Sequence, residues 1–185
     1  NNSSIKRIAD LNAKRVNLGA SGTGTQANAK QILDIAGVSY ENFSTMDFAS
    51  SVRELIAGNM DAIFITGALP SRYLQGVEEQ VTLLAIDQNI IDELVSQHGY
   101  VNYQIQPQVY PSLKKSVSSV AVTALLVANQ QVSDPQVTEL LESLFNSSVE
   151  LSNFGKIGAS IDRERALDGI AIPLHPAASK FFKEN

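Results

Sequence analysis

Arg15-Val16-Asn17-Leu18-Gly19-Ala20-Ser21-Gly22-Thr23-Gly24-Thr25-Gln26 is the stretch on which the fold turns. A short strand over 15–19 runs into a glycine-rich loop, and the loop opens onto a helix. The apolar stripe of that helix is Ala27, Ile32, Leu33, Ile35 and Ala36. Gly37 stands where a helix end calls for a residue at positive φ. The unit repeats downstream. Residues 42–46 read as a second strand, and Ser50 or Ser51 caps a helix through Val52, Leu55 and Ile56 that Gly58-Asn59 stops. Asp61-Ala62-Ile63-Phe64-Ile65-Thr66 is a near-continuous apolar run, as in a central parallel strand. Residues 70–80 read as helix, 81–86 as strand and 89–97 as a helix that Asp87 caps. This alternation predicts an α/β fold with a mostly parallel sheet and helices on both faces. The loop after the first strand then lies at the carboxyl edge, where such sheets bind ligands.

The second half differs. Residues 101–111 are polar and broken by proline, which suggests a crossing segment. Residues 117–128 alternate and then become wholly apolar, so they read as a strand. Asp134-Pro135 opens a helix over 136–146. Short helices are expected near 148–155 and 163–167, with a last one from Pro173-Leu174-His175-Pro176 to Phe181-Phe182.

Composition narrows the chemistry. The 185 residues include no Cys, so this chain forms no disulfide, thiolate zinc site or cysteine nucleophile. The two His, His98 and His175, are far apart and carry no recognisable motif; we expect both at helix ends. Fourteen Lys+Arg against nineteen Asp+Glu, with no basic run, argue against nucleic acid as a partner. No apolar run approaches the ~20 residues of a membrane span. No signal peptide is visible, and the chain opens on Asn1-Asn2-Ser3-Ser4 without a Met.

The loop over 19–26 is the best candidate site. Its glycines permit close backbone approach, and the unpaired N–H groups of the next helix converge there with the positive end of its dipole. Ser21, Gly22, Thr23, Gly24, Thr25 and Gln26 are the candidate ligand-binding residues. A carboxylate, phosphate or sulfate suits such a site; a plain helix cap with a turn is the alternative reading. The glycine spacing is neither G-x-G-x-x-G nor a P-loop, since no Lys follows. It is also no nucleophile elbow. Thr66, Gly67, Ala68 and Pro70 follow the central strand on the same edge and form the second candidate. Tyr110, in the crossing segment, is a further candidate that faces a cleft, with an amphipathic packing residue as the alternative reading. Arg53 and Arg72 are read as surface residues, and Asp47-Phe48 as a cap with a packing contact. No metal or cofactor is implied. An enzyme acting on a phosphorylated metabolite and an effector-sensing regulatory domain remain alternatives to a binding protein.

Several runs together resemble the solute-binding proteins of tripartite ATP-independent periplasmic (TRAP) transporters, in the TAXI branch. They are Lys14 to Thr25, Ala29-Lys30-Gln31-Ile32-Leu33-Asp34-Ile35-Ala36-Gly37, residues 50–58 leading into Asp61-Ala62-Ile63-Phe64, Gly67-Ala68-Leu69-Pro70, Tyr110-Pro111 and Ile172-Pro173-Leu174-His175-Pro176-Ala177-Ala178. The resemblance implies a non-enzymatic extracytoplasmic receptor with a type II periplasmic-binding fold, two lobes closing over a small organic anion such as glutamate or another carboxylate. Membrane subunits of the transporter would be its partners. It further implies that residues 1–110 form the second ligand-binding lobe. Residues 111–185 would supply a hinge-crossing strand and helices that complete a first lobe not found in this chain. Self-association through the surface left by that lobe is the corresponding expectation.

Overall fold

A computed structural model of the protein describes residues 4–145, 151–154, 158 and 161–183. The chain divides into two compact units, Asn1–Val122 and Thr123–Asn185.

The first unit is built around β1 (Val16–Asn17). It pairs in parallel with β2 (Ala62–Ile63), in the register Val16↔Ala62 and Asn17↔Ile63. On its other side a single parallel bridge joins Asn17 to Ser44. The expected strand over 42–46 is therefore one bridge wide. A side chain makes good the missing ladder: Asn17 is fully buried, its Oδ1 accepts the Met46 N–H at 2.7 Å and its Nδ2 donates to the Met46 carbonyl at 3.3 Å. An amide in that position copies a backbone peptide group, which is why a residue with poor strand propensity sits mid-sheet.

Helices cover both faces. Ala62 and Phe64 pack into one cluster with Val16, Leu18, Leu33 and Leu94, while Ile63 and Ile65 pack into another with Val52, Leu74 and Tyr110. The period-2 alternation of 62–65 thus sends successive side chains to opposite layers. Helix α1 (Gly24–Ile35) and helix α3 (Gln88–His98) form the first layer. Helix α2 (Phe48–Ile56) lies in the second. Its cap is Asp47, whose Oδ1 accepts the Ser50 N–H at 2.9 Å, rather than Ser50 or Ser51. Gly37, Gly58 and Gly99 all take the left-handed conformation just past helix ends. Asp87 occupies the cap position of α3, and His98 is its last residue.

Three expected elements differ. Residues 70–80 form two single 3₁₀ turns, Arg72–Leu74 and Glu78–Gln80, because Gly76 at φ +82° interrupts them. Residues 81–86 are extended, but one bond, from Ile86 N–H to the Ser118 carbonyl, joins them to their neighbour, so no ladder forms. The polar segment after 100 contains β3 (Val101–Ile105), antiparallel to β4 (Val117–Ala121) from Val101↔Ala121 to Ile105↔Val117. The strand expected to reach 128 ends at Ala121 because its partner begins at Val101. The parallel pairing is thus smaller than expected and is accompanied by an antiparallel pair.

The second unit packs α4 (Asp134–Phe145) against α5 (Pro176–Lys183) through Val137, Leu141, Ala177 and Phe181. The Arg163 guanidinium lies 4.2 Å from the Phe181 ring centroid and donates to the Phe181 carbonyl. His175 precedes α5 and its Nδ1 accepts the Ala177 N–H at 3.3 Å, as expected for a structural residue at a helix start. Residues 163–169 are turns rather than helix. Leu151–Phe154 is a 3₁₀ turn; the rest of the helix expected over 148–155 lies outside the described residues. No helix among the described residues is long and apolar enough to cross a membrane.

Two outcomes are expected. Asn17→Ala leaves the half-buried Met46 N–H and carbonyl without their Asn17 partners and lowers unfolding stability by about 1 kcal/mol, read as the urea midpoint; an unchanged midpoint would mean that the bridge is dispensable. The second concerns pH. The Ser50 N–H first, then the Ser50 hydroxyl, hold the Asp47 carboxyl below its ordinary range. A depressed folded pKa contributes stability above the unfolded value and loses it as pH falls through the folded one. The gap in melting temperature between wild type and Asp47→Ala should therefore narrow as pH drops below about 4.

Candidate functional site

The first loop is set by Gly19, which is buried at φ +94°. A Cβ there would stand 2.8 Å from Thr25 Cγ2, so only glycine lets the chain fold back onto the start of α1. Thr23 caps that helix. Its Oγ1 donates to the Ala20 carbonyl at 2.7 Å and accepts the Gln26 N–H at 3.3 Å. Gln26 reaches back in turn, and its Oε1 accepts the Gly22 N–H at 2.9 Å. This is a variant of the capping box, displaced by one residue towards the amino end. The pattern Thr23-x-x-Gln26 carries this signal in the sequence, in line with the helix-cap alternative for the loop.

The loop is consequently satisfied in part from within. The N–H groups of Gly22, Thr23, Gln26 and Ala27 all have acceptors in the protein. Those of Gly24 and Thr25, the first two positions of α1, have none among the described residues. Ser21, Gly22, Thr23 and Gly24 are exposed, whereas Thr25 is buried against Gly19.

The second loop comes to the same edge and is tied to the first by a side chain that the sequence reading missed. Asn28, one turn into α1, donates from Nδ2 to Thr66 Oγ1 at 3.2 Å. Gly67, Ala68 and Pro70 are exposed, and the Leu69–Pro70 bond is cis. Tyr110 lies beneath this loop, 4% exposed, and its hydroxyl accepts the Ser71 N–H at 2.8 Å. It supports the loop from behind, and the cavity it borders is lined by none of residues 66–70. Behind Asn28 stands Tyr100, whose hydroxyl donates to Asn28 Oδ1 at 2.9 Å and also meets the Gln31 side chain. Burial pushes the Tyr100 phenol up from its ordinary value, so it keeps its proton.

Charged side chains point elsewhere. The Arg72 guanidinium stacks on Tyr73 at 4.8 Å from the ring centroid and donates to its hydroxyl. Arg53 is exposed in the last turn of α2. One cavity of about 610 Å³ is lined by Asn12, Lys14, Arg15, Asn42 and Asn59, at the amino ends of the parallel segments. Another, of about 250 Å³, lies by Leu74, Leu83, Tyr110 and Leu113. Neither is lined by residues 19–26 or 66–70. Ser21, Gly22, Thr23 and Gly24 of the first loop and Gly67, Ala68 and Pro70 of the second are exposed.

The whole sequence matches a family model, and the small parallel sheet with helices on both faces is compatible with it. Residues 1–185 fit the family model described as NMT1-like family. The chain belongs to the NMT1-like family, a periplasmic-binding-protein-like family of extracytoplasmic solute-binding receptors.

Proposed function

We propose that the protein binds a small organic anion, a carboxylate such as glutamate, at Ser21–Gln26 and Thr66–Pro70, and delivers it to the membrane subunits of a TRAP transporter of the TAXI type. The transporter assignment rests on the sequence runs at 14–25, 29–37, 61–70 and 172–178. The site assignment rests on one observation: the Gly24 and Thr25 amides have no acceptor among the described residues and sit at the positive end of a twelve-residue helix. Ser21 and Thr66 add hydroxyls beside them. Tyr110 contributes by holding Ser71, and with it the second loop, in place.

A substitution that deletes one donor and little else tests the site. Gly24 is the first residue of α1, and Thr23 before it is extended at φ −89°, ψ 158°. Proline fits that position, and nothing lies within 4 Å of a Cβ there. On titration with L-glutamate or succinate, the Gly24 and Thr25 amide resonances should move saturably. Gly24→Pro should keep the melting temperature and weaken binding about tenfold, the worth of one hydrogen bond to a charged group. Equal affinity in Gly24→Pro, or amides that do not move, would overturn the anion site.

Self-association is the second part of the proposal. Val122, Leu125, Leu126 and Val127 are 43–71% exposed in a chain segment that no strand pairs. Such a run favours strand exchange between two copies. Light scattering should show dimers whose fraction falls in Leu126→Lys. A monomer at millimolar concentration would refute this.

A further inference from the structure

We infer that the first unit has a second ligand site, at the amino ends of its parallel segments, which takes the phosphate ester of a hydroxylated molecule such as a hexose phosphate. The site lies at the opposite end of β1 from the glycine loop, and it does not rest on the carboxylate reading.

The cavity there measures about 610 Å³, within the usual range for small-molecule sites. Three stretches of chain build it. The first leaves the 3₁₀ turn Ile8–Leu11, which is anchored by its buried Ile8 and Leu11. Ala13 then takes the left-handed conformation at φ +58°, unusual for a residue with a side chain. The Lys14 N–H returns to the Leu11 carbonyl at 3.0 Å, and this reversal sets Asn12 and Lys14 in the cavity wall. Residues 39–44 are the second stretch, a turn closed from the Phe43 N–H to the Tyr40 carbonyl at 3.0 Å. The third is Asn59-Met60, whose N–H groups both donate to the Glu54 carbonyl just past the end of α2.

The wall has a definite chemistry. No Asp or Glu lines it, in a chain whose carboxylates outnumber its Lys and Arg by nineteen to fourteen. Lys14 is half-buried, and no carboxylate pairs with its ammonium among the described residues. Asp10 feels its charge, but that carboxylate is held by the Lys6 and Arg7 N–H groups. Arg15 is bound to Asp61, from Nε to Oδ2 at 3.1 Å and from Nη2 to Oδ1 at 2.8 Å. That pair fixes the guanidinium and cancels its charge, so the net charge of the wall is that of Lys14. An ammonium is a compact point charge suited to a phosphate group.

The neutral groups decide what carries the phosphate. The carboxamides of Asn12 and Asn42 and the Ser39 hydroxyl have no hydrogen-bond partner among the described residues. Asn59 gives its Nδ2 to Glu54 Oε2 at 2.7 Å and keeps its Oδ1. Carboxamides and hydroxyls both donate and accept, as sugar hydroxyls do, whereas a bare oxyanion only accepts. Half-buried Phe43 and Met60 add apolar contact for the carbon side of a sugar ring. One cation among amides that both give and receive therefore fits a phosphorylated polyol better than an inorganic ion.

The full chain is titrated with glucose 6-phosphate, glucose and inorganic phosphate by amide NMR. Glucose 6-phosphate should move amides of residues 12–15, 39–44 and 59–60 saturably, and each of the other two should bind at least about tenfold more weakly, for want of the charge or of the hydroxyls. Lys14→Met should weaken glucose 6-phosphate about tenfold, the worth of a hydrogen bond to a charged group, and Asn42→Ala about fivefold, both at near-native melting temperature. Glucose 6-phosphate that moves none of those amides, or that binds either variant as it binds wild type, would overturn the site. Inorganic phosphate of equal affinity would overturn it too, since the amides would then contribute nothing. Either failure leaves the carboxylate site, read from the Gly24 and Thr25 amides, untouched.

Discussion

The first unit depends on the Asn17 side chain. Parallel pairing at its centre is only two residues wide, and the segment over 42–46 touches β1 through one bridge. Two backbone bonds, from Ser44 N–H to the Val16 carbonyl and from Leu18 N–H to the Ser44 carbonyl, hold that segment at one point only. The buried amide of Asn17 adds two bonds to Met46 where a ladder would have continued. Met46 is followed directly by Asp47, the cap of α2, so the same contact sets where the second helical layer begins. In the other direction Gly19 lies two residues on, and the loop it turns is aimed by the strand that Asn17 anchors. A polar side chain here acts as backbone, which ties the sheet's geometry to the site at its carboxyl edge.

The helix boundaries were legible because single residues carry them. Gly37, Gly58 and Gly99 must take φ above zero, and Asp87 or Asp134-Pro135 can hardly begin anything else. The run 62–65 was legible as packing into both layers because it is apolar throughout, but it is half-buried and lies at the edge of the pairing, with β1 rather than β2 in the centre. The β3 strand was not: Asn102, Tyr103 and Gln104 are exposed, so no apolar alternation marks them, and pairing with residues 117–121 is fixed by register rather than by composition. The helix expected over 70–80 failed at Gly76, whose backbone breaks a pattern that side chains support. Site residues divide in the same way. The glycine loop is local and could be read. The Asn28–Thr66 bond spans 38 residues and the Tyr100–Asn28 bond spans 72, and no spacing rule connects them.

None of the proposed site residues, Ser21–Gln26 and Thr66–Pro70, is cationic. The nearest guanidinium, in sequence terms, is Arg72, and that group is spent on the Tyr73 ring. An anion held by neutral amides and hydroxyls gains less than one paired with a buried arginine, since each neutral bond replaces one to water at a net of about 1 kcal/mol. Affinity on these terms needs many aligned donors and a covering surface that excludes water. It also permits release, because no ion pair must be separated. Those are properties that a receptor requires and a storage site does not.

Gln26 gives the same economy a finer form. Its Oε1 occupies the acceptor position on the Gly22 N–H. A carboxylate oxygen taking that amide would have to displace a carbonyl already there, so the exchange yields little. On the proposed reading the net attraction would be concentrated on Gly24 and Thr25, whose amides have no acceptor among the described residues. The loop holds its shape by engaging its outer donors within itself, through Thr23 and Gln26, while the Gly24 and Thr25 amides have no acceptor among the described residues. Rigidity and recognition are divided among successive peptide groups of one turn, and that division is what a short glycine-rich sequence can encode without any charged residue.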